Sequence, residues 1–371
     1  MAASSDNKLP HFLLGSRSST FLRVLLDYGG FSLRYLWRSL IIFAITLLFF
    51  PSRLWERIRF HPAISRLELD PEPVFIVGHW QTGTSPLQFL LAQDEQFSYL
   101  DTLHASLPNT YFTLKGVMKR LLKMILKGKD RGSDSIALSL DLPQGSDLPM
   151  ACQSPLSMYH SYVFPNNARQ VFERGVLLQG LSSTERERWK KEYLFHMKKI
   201  AAAGGCSRVL LRNSADTGRI AALLELFPKA KFIHVVRNPY EVCQAANERW
   251  QSMCTIWSLQ KFDSIEFHGL TVDMYEHLMK QFFAETAEIP ANRLATVCYE
   301  DLQKQPIETL RTTYEQLSIS GFERARPKIE QYLQTQQGSL AGENLSHLTN
   351  TQREKIKAQL QFVFDKTGYC A

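Results

Sequence analysis

The chain has 371 residues, 44% apolar and 21% charged, with a net charge of +7. That is ample for a large core, either one α/β domain with an appendage or two domains. The positive excess comes without a Lys/Arg-rich block, which points away from nucleic acid and leaves an anionic small ligand or an anionic membrane surface; six cysteines with no Cys-x2-Cys pair point away from zinc ribbons and dithiol redox chemistry.

Residues 1–18 are small and polar, and disorder is expected there. Residues 19–66 form an apolar, aromatic segment. Its densest part, Leu40 to Phe50, has no charge and is flanked by Arg34 and Arg38 on one side and by Arg53, Arg57 and Arg59 on the other. It is shorter than the ~18–20 apolar residues of a spanning helix, and no small-x-small cleavage site follows. Basic flanks on both sides suit a helix lying in or dipping into a membrane surface. The alternative is a helix packed on the main domain. The expectation is a membrane-associated protein, on a side the sequence does not specify, with a cytoplasmic protein as the alternative.

The main domain is expected over residues 67–371. Val74 to Val77 is a short β-branched and aromatic run bounded by Pro73 and Gly78, which reads as a buried strand. Gly78 to Ser85 then makes a small-residue turn into a helix that carries Leu87, Leu90 and Leu91 on one face. A strand, a small-residue loop and a helix N-terminus form an anion site, because amides and dipole point inward. The spacing is Gly-x4-Gly-Thr-Ser, with Thr84 where a nucleoside-triphosphate loop would carry lysine.

Further strands are expected at Phe97–Leu100, Val209–Arg212, Lys231–Val236 and Leu294–Cys298. A largely helical insertion is expected over about 112–205, including a basic helix at 112–127 whose charges read as a solvated face. Strands alternating with helices imply a parallel sheet covered on both faces, with ligands at the carboxyl ends of the strands. Four polar turns fall there: Gly78–Ser85, Asp101–His104, Arg212–Thr217 and Arg237–Glu241.

With these turns in place the chain resembles the sulfotransferases of P-loop-like fold. Trp80-Gln81-Thr82-Gly83-Thr84-Ser85 is similar to their 5′-phosphosulfate loop, Pro-Arg/Lys-Ser-Gly-Thr-Thr/Ser. Arg237-Asn238-Pro239-Tyr240-Glu241 is similar to their 3′-phosphate site. Tyr299-Glu300-Asp301-Leu302 with Pro306 resembles a Tyr-Glu-Asp-Leu-x3-Pro segment, and Leu210 to Phe232 resembles the Lys-Ser/Asn-Pro and Leu-Phe-Pro-x-Ala-x-Phe stretch of bacterial-type members. The resemblance covers roughly residues 70–335. It implies 3′-phosphoadenosine 5′-phosphosulfate (PAPS) as donor, no metal, and transfer of a sulfuryl group to a hydroxyl or amine on a small-molecule, lipid or glycan acceptor. It also implies that Thr82, Gly83, Thr84 and Ser85 hold the 5′-phosphate and Arg237 the 3′-phosphate.

The family's basic loop residue is Gln81 here, and its serine eight residues after the 3′-site arginine is Ala245. After Pro143-Gln144, where bacterial-type members carry an acidic cluster, stands Gly145-Ser146-Asp147. Three readings follow: another cation, such as Arg212 or one from the helical middle, replaces the lost one; the enzyme is slow or specialised; or the fold binds nucleotide or a partner without catalysis. The family's acceptor-side base lies near the second strand end, where Asp101 and His104 are the positional candidates. His104 has the ordinary pKa nearest neutrality, while Asp101 before Thr102-Leu103 also reads as a helix cap. His79 reads as a loop-shaping residue and His234 as a core histidine.

Overall fold

Val74–Val77 (β1) is wholly buried and lies at the centre of a five-stranded sheet. The other strands are Ser98–Tyr99 (β2), Val209–Arg212 (β3), Lys231–Val236 (β4) and Leu294–Cys298 (β5), in the order β2-β3-β1-β4-β5. Every pairing is parallel, with Phe75 of β1 opposite Leu211 on one side and Phe232 on the other. The chain is seen as a computed structural model that describes residues 10–126, 139–335 and 348–370.

Alternation along β1 divides the core. Phe75 and Val77 join one cluster with Trp189, Tyr193, Phe282 and Phe364. Val74 and Ile76 join another with Leu87, Leu91, Leu310 and Tyr314. The period of two sends neighbours to opposite faces, and each buried aliphatic side chain stabilises the sheet by about 1.5–3 kcal/mol.

Before the sheet come α1 (Ser18–Asp27), α2 (Leu36–Leu48), α3 (Phe50–Arg59) and α4 (His61–Ser65). Thr84–Leu91 (α5) follows β1, and Thr102–Ser106 (α6) follows β2. Between β2 and β3 lie Tyr111–Leu126 (α7), Asp147–Gln153 (α8), His160–Val163 (α9), Ala168–Gly175 (α10) and Ser183–Gly204 (α11). The last begins at a Ser182/Glu185 capping box and ends at Gly205 with φ +85°. Ile220–Leu226 (α12) joins β3 to β4, and Pro239–Trp257 (α13) and Phe267–Thr286 (α14) join β4 to β5. Tyr299–Lys304 (α15), Pro306–Gln316 (α16), Phe322–Thr335 (α17) and Asn350–Thr367 (α18) follow β5.

Residues 10–18, expected to be disordered, are packed. Phe12–Gly15 forms a 3-10 turn with Leu13 fully buried, and His11 Nε2 donates to the Trp257 carbonyl at 2.9 Å. Three consecutive apolar residues, Phe12-Leu13-Leu14, suffice to anchor a run whose composition is otherwise polar. Phe21, Val24 and Ile42 share a core with Phe164, Trp250 and Trp257, so the apolar N-terminal segment is fastened to the main domain. The stretch Leu33–Arg59 is 27 residues, long and apolar enough by length and composition to cross a membrane, and only 17% of its most apolar window is buried. Lys127 of the expected basic helix lies outside the described residues, as does Asn344-Leu345-Ser346, which has the form of a glycosylation sequon.

Candidate active site

The carboxyl end of β1 sits where the chain crosses first to one side of the strand and then to the other, which opens a crevice above it. Gly78 takes φ +144°, and a Cβ there would stand 2.6 Å from the Val235 carbonyl oxygen. Its amide donates to Thr217 Oγ1 at 2.8 Å, tying the loop to the turn after β3. Thr82 closes the turn, its hydroxyl donating to the His79 carbonyl at 2.8 Å. Gln81 adopts a left-handed φ of +75°, a conformation strained for a non-glycine residue. Gly83 caps α5 with φ +89°, and the Tyr299 ring lies 2.1 Å from where its Cβ would be. The first turn of α5 carries no acid. Its free amides and the dipole therefore face the loop mouth as an anion cradle.

His79 supports this loop from beneath. Its ring is buried and stacked on Tyr275 at 4.1 Å, and its Nδ1 donates to the Trp80 carbonyl at 2.8 Å. Burial pulls its pKa down to about 4, so the ring is neutral at physiological pH.

At the end of β4, Asn238 caps α13 by accepting from the Tyr240 amide at 3.0 Å. Arg237 is almost fully buried. It donates through Nε to Glu241 at 2.9 Å and through Nη1 to the Gln81 carbonyl at 3.3 Å, and its guanidinium lies 4.8 Å from the centre of the Tyr299 ring. Tyr299 thus packs on Gly83 and carries Arg237. The loop after β1, the turn after β4 and the Tyr-Glu-Asp segment after β5 meet around one ring.

On the other side, Arg212 ends β3 opposite Ile76 of β1. Its Nε donates to Gln88 Oε1 of α5 at 2.8 Å, and its Nη2 would stand 2.8 Å from a Cβ on Gly145. The absence of that Cβ lets the guanidinium lie against the chain leading into α8. Asp147, the first residue of α8, is buried near the Trp80 side chain and the Ala215 amide, which itself donates to Asn213 Oδ1 at 3.0 Å. Burial pushes its carboxyl up to about 6, against the pull of Arg219, Trp80 and Arg212. Its Oδ1 has no partner among the described residues. A carboxylate that titrates near neutrality and has one lone oxygen beside the loop is equipped to take a proton.

The turn after β2 serves differently. Asp101 caps α6, accepting from the His104 amide at 2.6 Å. The His104 ring is buried and stacked on Tyr111 at 4.2 Å, in a cluster with His196 and Lys199. Burial first, then the neighbouring Lys199 and His196, hold its pKa well below the ordinary value. β2 is separated from β1 by β3, so this turn begins about 10 Å from the loop.

The structure therefore brings together Gln81, Thr82, Gly83, Thr84, Ser85 and Arg237, with Arg212 across the crevice, and sets Asp101 and His104 apart from them. Two residues at the crevice had no role assigned from sequence. Tyr299 stood inside a motif without a stated contact, and Asp147 stood in a stretch noticed only because it lacks an acidic cluster. Among the described residues no group of three or more His, Cys, Asp or Glu is placed to hold a metal ion.

The sequence profile described as "Sulfotransferase family" matches residues 73–324. Two curated relatives are each 30% identical over 318 residues, covering 85% of this chain and 80% of theirs. They are the omega-hydroxy-beta-dihydromenaquinone-9 sulfotransferases Stf3 of Mycobacterium bovis and Mycobacterium tuberculosis. Among solved structures, sulfotransferase STF9 of Mycobacterium avium is similar with a TM-score of 0.66 at 14% identity, over 98% of each chain. STF1 of Mycobacterium tuberculosis gives 0.66 at 16% identity, over 92% of this chain and 89% of its own. At those identities the likeness is one of fold.

Proposed function

The chain belongs to the sulfotransferase family, and from that premise we propose that it uses PAPS to sulfate a hydroxyl on a lipid or other small-molecule acceptor. The observation that carries the donor assignment is Arg237, whose guanidinium reaches the Gln81 carbonyl of the anion loop. One cation adjoining a helix-terminus cradle suits a nucleotide with phosphates at both its 5′ and 3′ positions, and the planar guanidinium suits phosphate. PAPS supplies an activated sulfuryl group and a phosphate leaving group.

In this reading the amides from Thr82 to Ser85 and the Thr84 and Ser85 hydroxyls hold the 5′-phosphate. Arg237 turns from Glu241, whose side chain is 50% exposed, to the 3′-phosphate. Arg212 faces the transferring group in place of the loop cation that Gln81 lacks. Gln81 contributes its amide donors, and Asp147 accepts the acceptor's proton. We assign that proton to Asp147 rather than to His104 or Asp101 because Asp147 lies near Trp80 of the loop and Arg212, whereas His104 stacks within the insertion and Asp101 caps a helix. The acceptor class rests on the curated relatives, which are named for an omega-hydroxy quinol.

A second reading, nucleotide binding without transfer, is favoured by Gln81 alone. Transfer of labelled sulfate from PAPS to a panel of hydroxylated lipids separates the two. The proposal expects turnover by the natural protein and a loss of ~10²–10³ in Arg212→Ala. An inactive natural protein beside an active Gln81→Arg variant would establish the second reading.

A further inference from the structure

We propose that the face formed by α2, α3 and α7 docks on an anionic lipid bilayer, with its helices lying along the membrane surface rather than crossing it. The first observation is unpartnered apolar area. Trp37 is 73% exposed, Leu48 74%, Trp55 57%, Val117 70% and Met124 75%. Exposed apolar area on this scale marks an interaction surface rather than ordinary scatter. The helices form one continuous region. Thr113 of α7 donates through its amide to Glu56 of α3 at 3.3 Å, and Phe112 stacks on Phe60 at 5.6 Å.

The second observation is the charge of that face. Between Asp27 and Glu68 the only acid is Glu56, and α7 contains none. Glu56 is buried, its carboxylate turned inward onto Lys199 at 2.7 Å. Arg34, Arg57, Arg59, Lys115, Lys119 and Arg120 remain exposed. Apolar side chains interleaved with cations and no facing acid match a headgroup layer, into which aromatic rings and cations both settle. A second copy of this chain is the poorer occupant, because a two-fold contact would set the same cations against each other.

The third observation sets the orientation. Ser39, Ile42 and Thr46 are buried, so one side of α2 is occupied along its length. Arg38 donates to the carbonyls of Ile256 and Ser258. Arg53 donates to the carbonyl of Ser16 at 2.6 Å and to that of Thr46. Arg38 thus bolts the segment to the domain and Arg53 ties it to the packed N-terminal run, so neither guanidinium serves headgroups. The helix is also interrupted between α2 and α3, where Phe49 ends one helix and Pro51 lies in the first turn of the next. A segment pinned at both ends cannot cross a bilayer without releasing those guanidiniums. It can present its outer side to one.

The test is flotation of the full-length protein with phosphatidylcholine vesicles, with and without phosphatidylglycerol. Brominated lipids report the depth of Trp37 and Trp55. The expected result is flotation with the anionic vesicles, weakened by salt, and strongest quenching by bromines near the headgroups. Trp37→Glu/Leu48→Glu and Val117→Glu/Met124→Glu should each lower binding at least tenfold, while the melting temperature and monomeric sedimentation stay unchanged. Failure of the natural protein to float would overturn the proposal. So would a vesicle-free dimer that Trp37→Glu/Leu48→Glu dissolves, and quenching deepest at the bilayer centre would overturn the flat orientation.

Discussion

Gln81 combines a left-handed backbone with an uncharged side chain at the mouth of the loop. The backbone strain is of order 1–3 kcal/mol, and the missing cation removes an electrostatic donor from the site. Gln81→Arg should therefore raise turnover without raising stability, which parallel rate and melting measurements would detect. Gly83→Ala should do the reverse of a conservative change. A left-handed alanine costs about 1–2 kcal/mol, and its Cβ must also displace the Tyr299 ring beneath Arg237. Nucleotide affinity should fall together with the melting temperature. Asp147 supplies the pH dependence. Its carboxyl is raised from 3.8 to about 6 by burial, so the fold favours the neutral form; stability falls as pH rises from 3.8 to about 6 and levels off above that, where both folded and unfolded states are ionised. Asp147→Asn should then raise stability above pH 6 by of order 1–3 kcal/mol while abolishing transfer. As a base, Asp147 should give kcat/KM an acid limb near pH 6, with activity lost as pH falls. An acid limb unchanged in Asp147→Glu would remove it from the proton-transfer role.

At the scale of elements, legibility followed the strength of the local pattern. β1, β3, β4 and β5 stand at the residues expected, because a continuous apolar run between turn residues in an α/β chain has one place to go. Phe97–Leu100 shortened to Ser98–Tyr99, since an edge strand pairs on one side only. Asp101-Thr102-Leu103-His104 holds both a capping carboxylate and a basic ring, and sequence cannot say that one caps α6 and the other stacks on Tyr111, away from the crevice. Asp147 was harder still. What makes it notable is Trp80 and Ala215, residues distant in sequence that burial brings to it. The N-terminal segment carried a clear apolar signal, but its arginines gave no sign that Arg38 would be spent on carbonyls of the domain and Arg53 on those of Ser16 and Thr46. The Glu56–Lys199 pair, buried on both sides, clamps α3 to α11 at 2.7 Å. Lys199→Met should destabilise by about 3–5 kcal/mol through an unpaired buried carboxylate. The double variant with Glu56→Gln should recover most of that loss in denaturant melts.

For the whole molecule, the strand order places three distant motifs around one crevice, and that topology follows from parallel pairing and crossover connections. The insertion between β2 and β3 carries no comparable pattern, and its packing is decided by partners far along the chain. On the proposed function this crevice takes a 3′,5′-bisphosphorylated adenosine. Thermal unfolding with 3′,5′-adenosine bisphosphate, beside ATP with Mg²⁺, tests it most directly. At a hundred times the dissociation constant the bisphosphate should stabilise the protein by about 2.7 kcal/mol, ATP should do far less, and Arg237→Ala should lose the shift. A shift with ATP and none with the bisphosphate would rule out a PAPS site in this crevice.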